Sequence, residues 1–197
     1  MLEHITVNEK IKETIICLHG FGSNPDDMAS LSKRIGKYRY IIPRAPLNNV
    51  VGYSWFSLVR ENAEARERAA SCISEFVLEM QKKYKFKKCF LLGFSQGAAL
   101  AFNVGVENPE LFKGIIGIVG WLFSPEKLKI SGAAQVPILA INGSRDLVLP
   151  ATWCKGKCIE KTLLQKQLSC ELKMFPMGHE VSDECALYIR KWIEKHA

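Results

Sequence analysis

The chain has 197 residues, 48% apolar and 24% charged, which suits one globular domain over residues 1–197 and excludes a disordered chain. A core of that size needs no disulfide or metal to hold it. Lys plus Arg number 27 against 20 Asp plus Glu, a net charge of +7, which favours anionic partners at long range and leaves the fold open. No apolar run approaches the roughly 20 residues that cross a bilayer. The start, Met1-Leu2-Glu3-His4, has no basic segment followed by an apolar one, so no secretory signal is expected and the protein is placed in the cytoplasm.

In chain order, β-rich apolar runs fall at Ile5–Val7, Thr14–Leu18, Tyr38–Ile42, Cys89–Leu92, Gly114–Val119, Ile138–Ile141 and Leu172–Phe175. Several are nearly continuous in apolar residues, as strands covered on both faces are. Helical stripes lie between them. Ala69, Ile73, Phe76, Val77 and Met80 share one face, as do Val181, Cys185, Tyr188, Ile189, Trp192 and Ile193. The order β-β-α-β-α-β-α-β-β-α-β-α predicts an α/β fold, a mostly parallel central sheet with helices on both faces. The longest irregular stretch, Pro43 to Ser57, is long enough to suggest a functional loop. In such sheets ligands bind beyond the carboxyl ends of the strands.

The lysines at 82, 83, 85, 87 and 88 read as the complement of a helix carboxyl end and as flanks of a strand. No aromatic stacking motif accompanies them, so no nucleic-acid partner is expected, while transient contact with an anionic membrane surface is compatible with the charge. Seven cysteines, odd in number and scattered, read as free thiols in a reducing compartment. Cys154 and Cys158 stand four apart without a second ligand pair nearby, so no metal site is expected.

Four segments carry chemistry. Gly93-Phe94-Ser95-Gln96-Gly97 follows a predicted strand and opens onto the small residues Ala98, Ala99 and Ala101. A tight strand-to-helix turn there lifts the Ser95 hydroxyl above a helix N-terminus able to stabilise an oxyanion; the plainer alternative is a Ser helix cap. A serine hydroxyl needs a base. Of the two histidines after Ser95, His196 is penultimate and liable to fray, and His179 follows the last strand. Asp146 is the only aspartate between Ser95 and His179, directly after a predicted strand, and would hold the imidazole tautomer. The fourth segment, His19-Gly20-Phe21-Gly22, is a glycine-flanked turn that can offer one backbone N–H, with the Gln96 N–H as the second oxyanion donor. His19 reads as a structural histidine of this turn, and Asp26 and Asp27 as first-turn carboxylates of the next helix.

These segments, together with Pro43-Arg44-Ala45-Pro46, Gly52-Tyr53-Ser54-Trp55-Phe56, Gly143-Ser144-Arg145-Asp146 and Gly178-His179-Glu180-Val181, resemble the α/β-hydrolase fold. More narrowly they are similar to the phospholipase/carboxylesterase family, which includes the acyl-protein thioesterases. The resemblance runs in family order from about residue 15 to the C-terminus. It implies Ser95, Asp146 and His179 as a triad and the Phe21 and Gln96 N–H groups as the oxyanion hole; an acyl-enzyme mechanism on these groups needs no cofactor. The expected substrate is a small-molecule or lipid-like acyl ester or thioester. Two departures are visible: Ser57 stands after the Trp-Phe pair where the family often has Asp, and Gly120-Trp121 replaces a common Ser-Gly. Trp55, Phe56, Trp121 and Leu122 could wall an apolar acyl pocket or pack under a loop. The rival readings are a lysophospholipase or small-ester hydrolase, and a binding module of the same fold without turnover.

Overall fold

The computed structural model describes residues 2–58, 63–123, 136–149 and 168–197. Among them a seven-stranded sheet has the order β1-β3-β2-β6-β7-β8-β9. Its strands are β1 (His4–Val7), β2 (Thr14–Leu18), β3 (Arg39–Pro43), β6 (Cys89–Phe94), β7 (Phe112–Ile118), β8 (Ile138–Gly143) and β9 (Cys170–Phe175). The edge strand β1 pairs antiparallel with β3, and every other pairing is parallel. A separate two-stranded hairpin, β4 (Leu47–Asn48) and β5 (Tyr53–Ser54), lies in the stretch that reads as irregular from sequence. Strands of two residues are too short to show a period.

The alternation along β2 explains the layering. Ile16 and Leu18 face one apolar cluster, with residues of α2 (Ala63–Tyr84) and α3 (Gln96–Glu107). Ile15 and Cys17 face the other, with residues of α1 (Pro25–Ile35) and α4 (Asp183–His196). Side chains two apart share a face, so a strand apolar at every position is buried on both sides. The helices of α1 and α4 begin at side-chain caps. Asn24 accepts from the N–H groups of Asp26 and Asp27 at 2.8 and 3.2 Å, and Ser182 accepts from Cys185 N–H at 3.2 Å. Asp26 and Asp27 occupy the first turn of α1, and Lys82 and Lys83 the last turn of α2, where each complements the helix dipole.

β6 runs two residues past its predicted end, up to the residue before Ser95. The helix expected between β8 and β9, and the Cys154–Cys158 pair, lie outside the described residues. Among the described residues no helix is long and apolar enough to cross a membrane. Cys17, Cys89 and Cys185 are buried free thiols, and burial pushes the Cys185 thiol up to about 12.

Candidate active site

Ser95 stands between β6 and α3 with φ 54° and ψ −116°. Positive φ in a non-glycine residue costs on the order of 1–3 kcal/mol and persists only where the surroundings enforce it. Here Ser95 N–H donates to Ile118 O on the neighbouring strand at 2.9 Å, and Ser95 O accepts from Ala98 N–H and Ala99 N–H at 3.0 and 3.1 Å. The flanking glycines leave no room for a side chain. A Cβ on Gly93 would sit 2.2 Å from Gly97 O, and one on Gly97 would sit 2.2 Å from Leu18 O. Ser95 holds the N-cap position of α3, yet its side chain makes no capping bond. Its Oγ lies 3.0 Å from His179 Nε2 instead.

Asp146 and His179 leave adjacent parallel strands, β8 and β9, whose pairing runs to Gly143↔Phe175. The ladder continues beyond the strands, with Ser144 N–H on Phe175 O at 2.8 Å and Arg145 N–H on Met177 O at 3.1 Å. Asp146 is 3% exposed. Its Oδ1 accepts from Val148 N–H and Leu149 N–H, both at 2.8 Å, and its Oδ2 lies 2.8 Å from His179 Nδ1. A carboxylate so placed accepts, so Nδ1 carries the ring proton and Nε2 is left to accept from the Ser95 hydroxyl. The Phe94 ring, 5.2 Å from the imidazole between centroids, covers one side. His196 is committed elsewhere, its Nδ1 lying 2.7 Å from Trp192 O on its own helix.

The turn after β2 is tied to the β5 strand. Gly22 N–H donates to Tyr53 O at 2.9 Å and Tyr53 N–H to Ser23 O at 2.8 Å. Among the described residues, neither Phe21 N–H nor Gln96 N–H is spent on a hydrogen bond. His19 is fully buried. Its Nδ1–H donates to Gly20 O at 2.8 Å while Nε2 accepts from Ala45 N–H at 3.1 Å, so the ring is neutral. Burial holds its pKa below the usual 6.5, against the opposing pull of the Gly20 bond and the Asp27 charge.

Of the aromatic and aliphatic candidates, Trp55, Phe56 and Leu122 are 3%, 3% and 0% exposed and belong to the core cluster under α2 and α3. Trp121 is half-buried against that cluster. Trp55 has a polar task as well, its Nε1–H donating to His19 O at 2.9 Å. Sequence reasoning missed the side chain of Gln96. It is fully buried, accepts from Trp55 N–H at 2.9 Å through Oε1 and donates to Phe56 O at 2.7 Å through Nε2. A polar residue in the run Ser95-Gln96-Gly97-Ala98-Ala99, opening a helix buried all round, was the available signal. Among the described residues no group of three or more His, Cys, Asp or Glu is placed to hold a metal ion.

A serine at a sharp strand-to-helix turn between β6 and α3, with a carboxylate after β8 and a histidine after β9 on one mostly parallel sheet, is the framework of an α/β-hydrolase. The carboxylesterase of Bacillus cereus superposes over 100% of this chain and 95% of its own with a TM-score of 0.87 at 18% identity, a likeness of fold. A sequence profile of the phospholipase/carboxylesterase family matches residues 3–197, and the chain belongs to that family. Among its relatives, carboxylesterase SOBER1 of Arabidopsis thaliana is 25% identical over 92% of this chain and 89% of its own. Acyl-protein thioesterase 1 of Gibberella zeae is 24% identical over 90% of this chain and 89% of its own.

Proposed function

We propose that residues 1–197 act as one hydrolase domain that cleaves carboxylic esters or thioesters through an acyl-enzyme on Ser95. The observation that carries this reading is the unbroken series Ser95 Oγ, His179 Nε2, His179 Nδ1 and Asp146 Oδ2, with separations of 3.0 and 2.8 Å. Ser95 Oγ attacks the acyl carbon as His179 Nε2 takes the hydroxyl proton, and Asp146 stabilises the imidazolium. The carbonyl oxygen becomes an oxyanion between the N–H groups of Phe21 and Gln96. Collapse breaks the C–O or C–S bond, and His179 returns the proton to the departing alcohol or thiol. Water then attacks the acyl-enzyme, giving its proton to His179, and the acid leaves as Ser95 regains its hydrogen.

Apolar side chains exposed beside these groups favour an acyl chain as the recognised part. Phe21 is 44% exposed within the oxyanion turn, and Leu147 and Val148, directly after Asp146, are 90% and 64% exposed. Trp121, half-buried beyond β7, is the candidate wall with surface left to offer. Names in the family support both an ester and a thioester as substrate. The test is hydrolysis of ester and thioester series of rising acyl length, with Ser95→Ala in parallel. Activity falling at least about 10⁴-fold in the variant is the expected result, since losing the nucleophile disables the triad as a unit. A variant that kept its activity would remove the serine mechanism.

A further inference from the structure

Gln96 is fully buried at the first position of a helix whose residues from Gln96 to Val106 are all buried. A primary amide in such a place is costly unless both of its ends are paired, and an apolar side chain would fill the space without that demand. Both ends are paired, and to the same distant segment: Trp55 N–H and Phe56 O, some forty residues earlier in the chain. Among the described residues that segment makes no sheet pairing beyond Ser54, and the amide ties its backbone at two points to the start of α3.

The Trp55 segment in turn grips the turn that carries Phe21. The Trp55 indole N–H holds His19 O, and Tyr53 exchanges backbone bonds with Gly22 N–H and Ser23 O. These ties bracket Phe21, one before it in sequence and two after. Gly97 packs against Leu18 O and His19 O, at the root of the turn. A contact at the root alone allows a pivot; ties on both sides of Phe21 set a direction. Direction matters, because a hydrogen bond weakens steeply as its angle departs from linearity.

We infer that the Gln96 side chain is a positioning residue for the oxyanion hole, aiming the Phe21 N–H through the Trp55 segment while its own backbone N–H supplies the second donor. This rests on the serine-hydrolase reading of Ser95, His179 and Asp146. Loss of one oxyanion donor lowers kcat by about 10²–10³-fold, and a donor kept but misdirected loses part of that, about ten- to a hundredfold.

Gln96→Met keeps the length and removes both bonds. Gln96→Glu adds a signature in pH. A neutral carboxyl still accepts from Trp55 N–H and donates to Phe56 O, whereas an ionised one cannot donate and faces the carbonyl. Burial raises the pKa of such a carboxyl, to about 8–9 in documented cases. The experiment measures kcat and KM on p-nitrophenyl acetate from pH 6 to 9 for wild type and both variants, with thermal midpoints at each pH. The expected result is a kcat for Gln96→Met lowered ten- to a hundredfold (about; an oxyanion-donor effect) with KM within about threefold. For Gln96→Glu the ratio of kcat to wild type falls about tenfold or more from pH 6 to 9 while the variant stays folded. Gln96→Met within twofold (about) of wild-type kcat overturns the inference, as does a flat ratio for Gln96→Glu or one that falls only where the variant unfolds. An inactive Ser95→Ala alongside a fully active Gln96→Met defeats the positioning role alone. A fully active Ser95→Ala defeats the hydrolase reading beneath it.

Discussion

On one side of the site, Ser95, His179 and Asp146 are joined side chain to side chain, each held at the end of a strand of the same sheet. On the other, the proposed oxyanion donors, the backbone N–H groups of Phe21 and Gln96, lie beside a relay of buried polar side chains: Gln96, Trp55 and His19. The sheet supplies the first arrangement almost without help, because adjacent parallel strands deliver their loops to one edge. The second depends on bonds between segments far apart in the chain and outside the main sheet. The acid–base side therefore ought to fail by loss of chemistry, and the oxyanion side by loss of alignment.

That contrast can be broken most severely at Asp146. Replacing it with Asn leaves the shape and presents an amide that cannot fix the imidazole with its proton on Nδ1. The expected loss in kcat is about 10³–10⁴-fold with the fold retained, read by steady-state hydrolysis and circular dichroism. A loss under tenfold (about) would mean that the tautomer is held by something other than Asp146.

A smaller effect is expected at Trp55. Trp55→Phe keeps a large ring and removes the N–H that holds His19 O. A fall in kcat of about three- to tenfold with KM little changed would match a pivot of the Phe21 turn. If KM rose instead with kcat intact, Trp55 would belong to substrate binding, as the sequence also allowed.

The smallest effect concerns stability and pH. Because burial keeps the folded pKa of His19 below 6.5, the unfolded chain binds this proton first as pH falls. Its share of stability is complete above about pH 6.5 and declines as pH drops towards the folded value, by at most about 1.4 kcal/mol per unit. His19→Gln should show a shallower fall of thermal midpoint between pH 7 and 5 (about) than wild type. Identical slopes would show that the neutral imidazole is not what holds this turn.

Much of this was legible in the chain itself, and the limits have physical causes. Thr14–Leu18 reads as a strand with the bounds it has in the structure, because both faces are buried and every position counts. Cys170-Glu171 was outside the predicted last strand because its pairing with Ile138 and Leu139 comes from register and not from apolarity. Ser95, Asp146 and His179 could be proposed from residue type and order, since few residues can do that chemistry. A backbone donor carries no such mark: the glycines point to a donor in the turn, and Phe21 itself is named through the family resemblance. The Gln96 amide was harder still, because its role lies in a segment some forty residues away.

The paired loops after β8 and β9 bear on how such a chain can vary. Arg145 N–H on Met177 O and Ser144 N–H on Phe175 O carry the ladder past the strand ends, almost to Asp146 and His179. Asp146 and His179 thus ride on one two-railed support whose spacing is set by the sheet. An insertion between Gly143 and Asp146, or between Phe175 and His179, would therefore put the two side chains out of step.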